Sequence, residues 1–150
     1  MCSSFRRTAR SLTQLYETAL RPLGMRATQF TVLQVLSVAG EVSQGRLGEM
    51  LAMDSTSLTR ALAIMNRQGW IAERRGEDHR ERRLRLSEAG DAQLRRALPV
   101  WEKVQAGLRD RLGEQAWNGL LESTREVTGA AMEVMAGVNE PANRHTGGTA

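Results

Sequence analysis

After Gly69 the apolar spacing of this chain changes from the helical period of about 3.6 to the strand period of 2, and Ser87 then returns it to a helical one. Trp70 to Arg75 and Arg82 to Leu86 read as two short strands, the second alternating Arg83, Leu84, Arg85 and Leu86, joined by the polar tip GEDHRE. One hairpin in an otherwise helical pattern predicts a mainly α fold with a small β-hairpin. The hairpin is also charged. Arg74, Arg75, Arg80, Arg82, Arg83 and Arg85 stand against Glu77, Asp78 and Glu81, a local +3 within a chain of net charge +4. Of the 21 basic residues all but Lys103 are arginine, whose planar fork suits phosphates and guanine edges. Arginine-rich coding would spread that bias evenly, whereas here it is focused on the hairpin.

The helices are legible from their spacing. A first helix is predicted from Ser4 to Leu20, with Phe5, Ala9, Leu12, Tyr16, Ala19 and Leu23 as a heptad-like seam, Arg6, Arg7 and Arg10 on its other side, and Pro22 and Gly24 to stop it. Thr28 is expected to cap a second helix, Gln29 to Val38, apolar nearly all round and ended by Gly40. Ser43 caps a short third helix, Gln44 to Leu51. Asp54 or Ser55 caps a fourth, running to Gln68, whose buried stripe is Leu58, Ala61, Leu62 and Met65. That stripe leaves Thr56, Ser57, Thr59, Arg60 and Ala63 outside. Ser87 caps a long helix that Pro99 is expected to kink and Gly113 to break, and a last apolar-striped helix extends to Val138. The tail from 139 to 150 has little to bury and is expected to be disordered.

Two short helices, the second presenting small polar residues and one arginine, followed at once by a basic hairpin, form the pattern of a winged helix-turn-helix. The physical reason is direct. The major groove of B-DNA admits one helix, and Ser55, Thr56, Ser57 and Thr59 are short enough for close approach, with Arg60 as the one long donor. A hairpin beside that helix lies over the neighbouring backbone or minor groove, where arginines gain from the negative potential. On this reading Arg74, Arg75, Arg82 and Arg83 join the DNA-binding residues.

The chain resembles the MarR (multiple antibiotic resistance regulator) family along nearly its whole length. The resemblance rests on RATQFTVLQVL (26–36), on SQGRLGEMLAMDSTSLTRALAIMNRQGWI (43–71) and above all on EDHRERRLRLSEAG (77–90), which is similar to the family's wing signature. It implies one domain, with a winged helix-turn-helix at 27–87 between dimerisation helices at 4–23 and 88–138. It implies that Asp78 pairs with an arginine to hold the wing and that Arg80 enters the minor groove. It also implies a homodimer on a pseudo-palindromic operator, most simply a repressor released by a small aromatic or anionic ligand. Arg10, Tyr16, Phe30 and Trp101 are the candidates to line a ligand pocket, although core packing accounts for each of them singly. Gly45, Gly48 and Arg46 depart from the expected third helix, the glycines by loosening it and Arg46 by standing where a capping acid or amide is expected.

Other functions fit less well. Cys2, the single cysteine, admits no intrachain disulfide; a redox-sensing regulator with its thiolate stabilised by Arg6 or Arg7 is an alternative, as is a winged-helix adaptor that reads no DNA. His79 and His145 have no partner at ligand spacing, so no metal site, cofactor or catalytic pair is expected, and Glu122 with Glu126 reads as a solvated face. At 150 residues the chain is one domain's length. It opens without the apolar stretch of a secretory signal and has no apolar run near the ~20 residues of a membrane span, so a cytoplasmic protein without a membrane partner is expected.

Overall fold

A computed structural model describes residues 2–76 and 81–139. The elements are α1 (Cys2–Leu20), a 3₁₀ turn (Arg21–Leu23), α2 (Ala27–Ala39), β1 (Val42–Ser43), α3 (Gln44–Leu51), α4 (Ser55–Arg67), β2 (Ile71–Arg75), β3 (Arg82–Leu86), α5 (Glu88–Leu112) and α6 (Glu114–Asn139). The hairpin tip at 77–80 and the tail after 139 lie outside the described residues, and so does the disorder expected there. The chain divides into two compact units, residues 1–105 and 106–150.

The first unit is built around α2. Phe30, Val32, Leu33 and Leu36 on that helix meet Leu20 from α1, Leu47 from α3, Leu58, Leu62 and Met65 from α4, Leu84 from β3, and Leu94 and Ala97 from α5, all buried. The near-uniform apolarity of α2 follows from this central place. Its start differs from expectation. Thr28 does not cap it, because Gln29 Oε1 already accepts the Arg26 N–H (2.8 Å) and Glu17 Oε1 accepts the Ala27 N–H (3.0 Å). These two carboxamide and carboxylate oxygens satisfy orphan donors that a hydroxyl would otherwise serve, and the helix begins at Ala27.

The sheet has three strands, in the order β1-β3-β2, all antiparallel. β1, too short to show a period, is absent from the sequence reading. Val42 pairs with Leu84 and Ser43 with Arg83, while Ile71 pairs with Leu86, Glu73 with Leu84 and Arg75 with Arg82. Alternation therefore puts Val42, Ile71, Leu84 and Leu86 on one face, toward the core, and Ala72, Arg74, Arg83 and Arg85 on the other. Trp70 lies outside β2 because its N–H closes the end of α4 on the Met65 carbonyl (3.0 Å).

Ser87 joins the hairpin to α5. Its hydroxyl donates to the Gly69 carbonyl (2.5 Å) and accepts from the Gly90 N–H (3.0 Å), and its own N–H donates to the Trp70 carbonyl (3.1 Å). The first turn of α5 thus lies directly on the Trp70 carbonyl, and α5 continues unbroken through Pro99. A Cβ at position 90 would fall 1.9 Å from that carbonyl oxygen.

The second unit contains the end of α5, the reversal at Gly113 (φ 79°) and α6. Along α6 every described side chain is exposed except Trp117, which is half-buried, so Leu120, Leu121, Val127, Met132, Val134 and Met135 all face outward.

Gly90→Ala should lower the folding free energy by about 3 kcal/mol, at the upper end for overpacking, because the obstacle is backbone rather than a side chain that can rotate away. Urea unfolding followed by circular dichroism measures this loss; a change below about 0.5 kcal/mol would show that α5 does not sit against Trp70.

Candidate nucleic-acid interface

The cap of α4 is Asp54, which settles the choice left open by the sequence. Its Oδ1 accepts the Ser57 N–H (2.8 Å), and hydrogen bonds from the Ser57 backbone and then its hydroxyl hold the carboxyl below the usual aspartate range. Ser55 is therefore the first residue of the helix rather than its cap. Leu58, Leu62 and Met65 turn inward, and Ser55, Thr56, Ser57, Thr59 and Arg60 are all exposed. The sequence reading missed one residue here. Gln44, at the start of α3, donates from Nε2 to Thr59 Oγ1 (3.0 Å). With its oxygen accepting from Gln44, the Thr59 hydroxyl keeps its proton to donate elsewhere.

Arg74, Arg82 and Arg83 of the hairpin carry carboxylate partners. Arg82 Nε pairs with Glu73 (2.6 Å) and Arg83 Nε with Glu81 (3.2 Å). Arg74 is held by Glu41: Nε donates to Oε2 (2.7 Å) and Nη2 to Oε1, a two-point fork. Glu41, the second residue that the sequence reading missed, reaches Arg74 from beside β1. Its carboxyl lies below the usual glutamate range, first because of the hydrogen bond from Arg74 and then because of the charges of Arg74, Arg83 and Arg85. No periodicity signals such a pair, since its members stand 33 positions apart. Arg60 and Arg75 are exposed and make no ion pair with another described residue. Asp78 and Arg80 lie outside the described residues, and Cys2 opens α1 with its side chain likewise undescribed.

The four ligand-pocket candidates fall in three places. Tyr16 lines an open cleft of about 450 Å³ with Ala9, Leu12 and Thr13 of α1, Thr28 and Thr31 of α2, and Leu51 and Met53. Burial raises its phenol pKa, partly offset by a hydrogen bond with Gln105. Arg10 instead lies with Ser3, Arg6 and Arg7 along the start of α1. Phe30 is 3% exposed within the core, and its ring lies 6.0 Å from that of half-buried Trp101, which packs against the core. Among the described residues no group of three or more His, Cys, Asp or Glu side chains is placed to hold a metal ion, and no helix is long and apolar enough to cross a membrane.

This geometry has close relatives. A family model described as the MarR family matches residues 23–81. The transcriptional regulator MosR of M. tuberculosis, solved in complex with DNA, is 34% identical, with 89% of this chain and 96% of that one covered and a TM-score of 0.80. A cysteine mutant of E. coli MarR complexed with operator DNA shares the fold at 23% identity and a TM-score of 0.76, over 83% of this chain and 91% of that one. An uncharacterised helix-turn-helix transcriptional regulator of Bacillus subtilis, YwoH, is 26% identical across 69% of this chain and 78% of its own length. With its fold, its hairpin and its match to MosR over most of both chains, this chain belongs to the MarR family of transcriptional regulators.

Proposed function

We propose that this chain is a homodimeric, sequence-specific DNA-binding repressor released by a small ligand. The observation that carries the DNA reading is the outer face of α4, where short hydroxyl side chains and Arg60 stand exposed on a helix whose opposite side is locked into the core. Such a face can approach base edges closely, and Arg60 supplies the fork that suits guanine. The hairpin arginines beside it supply backbone contacts, with Arg80 assigned to the minor groove and Asp78 to holding the tip, as the family resemblance implies. The DNA held by MosR, the 34%-identical relative, supports this reading.

Two further observations support its finer parts. The outward apolar residues of α6 are what a second copy of the chain would cover. The cleft beside Tyr16 offers about 450 Å³ walled by apolar and hydroxyl groups, a size and chemistry suited to a small aromatic acid. It is walled by α1 on one side and by the end of α3 on the other, so an occupant that prefers one spacing of these helices would act on the helix-turn-helix.

Three outcomes are expected. In fluorescence anisotropy with promoter DNA, Arg60→Ala should cost about 1–3 kcal/mol on the specific site and much less on random duplex; equal losses would mean that another face reads the bases. Inserting five base pairs between half-sites that lie about 10 base pairs apart turns one of them to the far side of the duplex and should abolish high-affinity binding, whereas unchanged affinity would contradict the dimer. A small aromatic acid bound in the cleft should weaken operator binding about 5- to 150-fold, and operator should weaken its binding by the same factor in calorimetry. A cleft ligand that binds equally with and without DNA is no effector.

A further inference from the structure

Four helical threonines of this chain spend their hydroxyl proton on their own helix. Thr18, Thr31, Thr124 and Thr128 each donate to the carbonyl four residues earlier, at 2.7 to 3.1 Å. Thr59 of α4 does not. Its one hydrogen bond to a described residue is the bond that its Oγ1 accepts from Gln44 Nε2 (3.0 Å), so its proton is left for an acceptor outside the protein. Gln44 is firmly placed for this. It follows Ser43, which pairs with Arg83 of β3 and caps α3 through its hydroxyl, and it is half-buried whereas Thr59 is exposed. The carboxamide therefore reaches the hydroxyl from the protein side, and a hydroxyl that accepts a hydrogen bond is polarised into a better donor.

We propose that Gln44 is a specificity-determining residue that acts through Thr59: by donating to the hydroxyl it commits that group to donate in turn, so that α4 selects an acceptor edge at the base that Thr59 meets. The proposal rests on the DNA-binding reading above. In the major groove guanine presents the acceptors O6 and N7 and thymine presents O4, whereas cytosine presents the N4 amine. Cytosine would set donor against donor where the interface excludes water, and an unsatisfied donor is costly there. The alternative is that the Gln44–Thr59 bond merely ties α3 to α4. Those helices are already held by Leu47 and Leu58 in the core and by the Met53 N–H closing on the Gly48 carbonyl (3.0 Å), beside which one exposed hydrogen bond adds little. The two roles predict different things. A tie, once lost, lowers affinity for every duplex alike, whereas a committed donor, once lost, changes the ranking of the bases.

The test replaces the donor by an acceptor. Titrations with promoter duplexes carrying each of the four bases at each half-site position first locate the base that Thr59 meets, as the position where Thr59→Val, which keeps the shape and removes the hydroxyl, abolishes discrimination. There the wild type should bind guanine or thymine about 2- to 12-fold more tightly than cytosine, the worth of one hydrogen bond. Gln44→Glu keeps the shape and can only accept, so it takes the Thr59 proton, turns the lone pairs outward and should reverse the ranking in favour of cytosine. Ratios between bases on one protein cancel the general loss caused by the added negative charge. Gln44→Ala lets the hydroxyl turn back on the Ser55 carbonyl and should flatten the ranking; it carries the test if thermal unfolding shows that the charged variant does not fold. An unchanged ranking in the folded variants overturns the proposal, as does a loss that is uniform over the four bases. If Thr59→Val alters no position while Arg60→Ala still weakens the specific site selectively, this proposal alone falls; if the wild type does not prefer promoter over random duplex, the functional reading falls and this proposal with it.

Discussion

Four consecutive residues, 41 to 44, hold the interface elements together. Glu41 grips Arg74 on the far strand of the sheet, Val42 and Ser43 pair with β3, the Ser43 hydroxyl accepts the Arg46 N–H at the start of α3 (3.2 Å), and Gln44 holds Thr59 on α4. Each contact is of ordinary strength and mostly exposed, so none alone contributes much stability. Their value is in register. Extended chain alternates its side chains, so Glu41 and Ser43 meet the arginine face while Val42 enters the core, and a one-residue slip would lose all of these at once. The helix facing outward with Arg60 and the hairpin carrying the arginines are in this way referred to one short strand.

Packing supplies the rigidity that this register needs. α2 is enclosed by elements from both chain directions, and the absence of a side chain at Gly90 lets α5 lie on the Trp70 carbonyl, where Ser87 serves three backbone partners. Charge is treated differently from packing. The hairpin arginines Arg74, Arg82 and Arg83 each have an acid from the same chain, so the excess positive charge evident in the sequence is partly answered within the molecule. What the proposed DNA partner meets is a surface of ion pairs with Arg60 and Arg75 standing exposed beside them.

Much of this was legible in advance because it is local. The Ser43 and Ser87 caps, the break at Gly113, the stripe of α4 and the hairpin all follow from residues within a turn or two of each other. What escaped was long-range or too short to carry a period. Thr28 seemed a cap because hydroxyls commonly are, but Glu17, ten residues earlier, had taken one of the donors. β1 spans two residues. Phe30 and Trp101 carry the same aromatic signal whether they line a pocket or fill a core, and their mutual contact joins residues 71 positions apart that no local pattern pairs. Glu41 carries no local signal at all, because Arg74 stands 33 positions away and meets it only through the sheet.

The turn between α3 and α4 has a consequence for how α4 is aimed. Ala52 there adopts φ 49°, a left-handed conformation that costs a residue with a Cβ roughly 1–2 kcal/mol, and its N–H and that of Met53 close on the carbonyls of Glu49 (3.1 Å) and Gly48 (3.0 Å). A joint under strain does not choose its own angle; it is held at one by what lies on either side. Those supports are Leu47 and Leu58, both buried in the core, while Gly48 sits close enough that a Cβ would touch Leu58 at 3.4 Å. The direction of α4 is thus a property of the interior. Substitutions that loosen the packing beneath this turn would re-aim Ser57, Thr59 and Arg60 together, without altering any outward-facing residue.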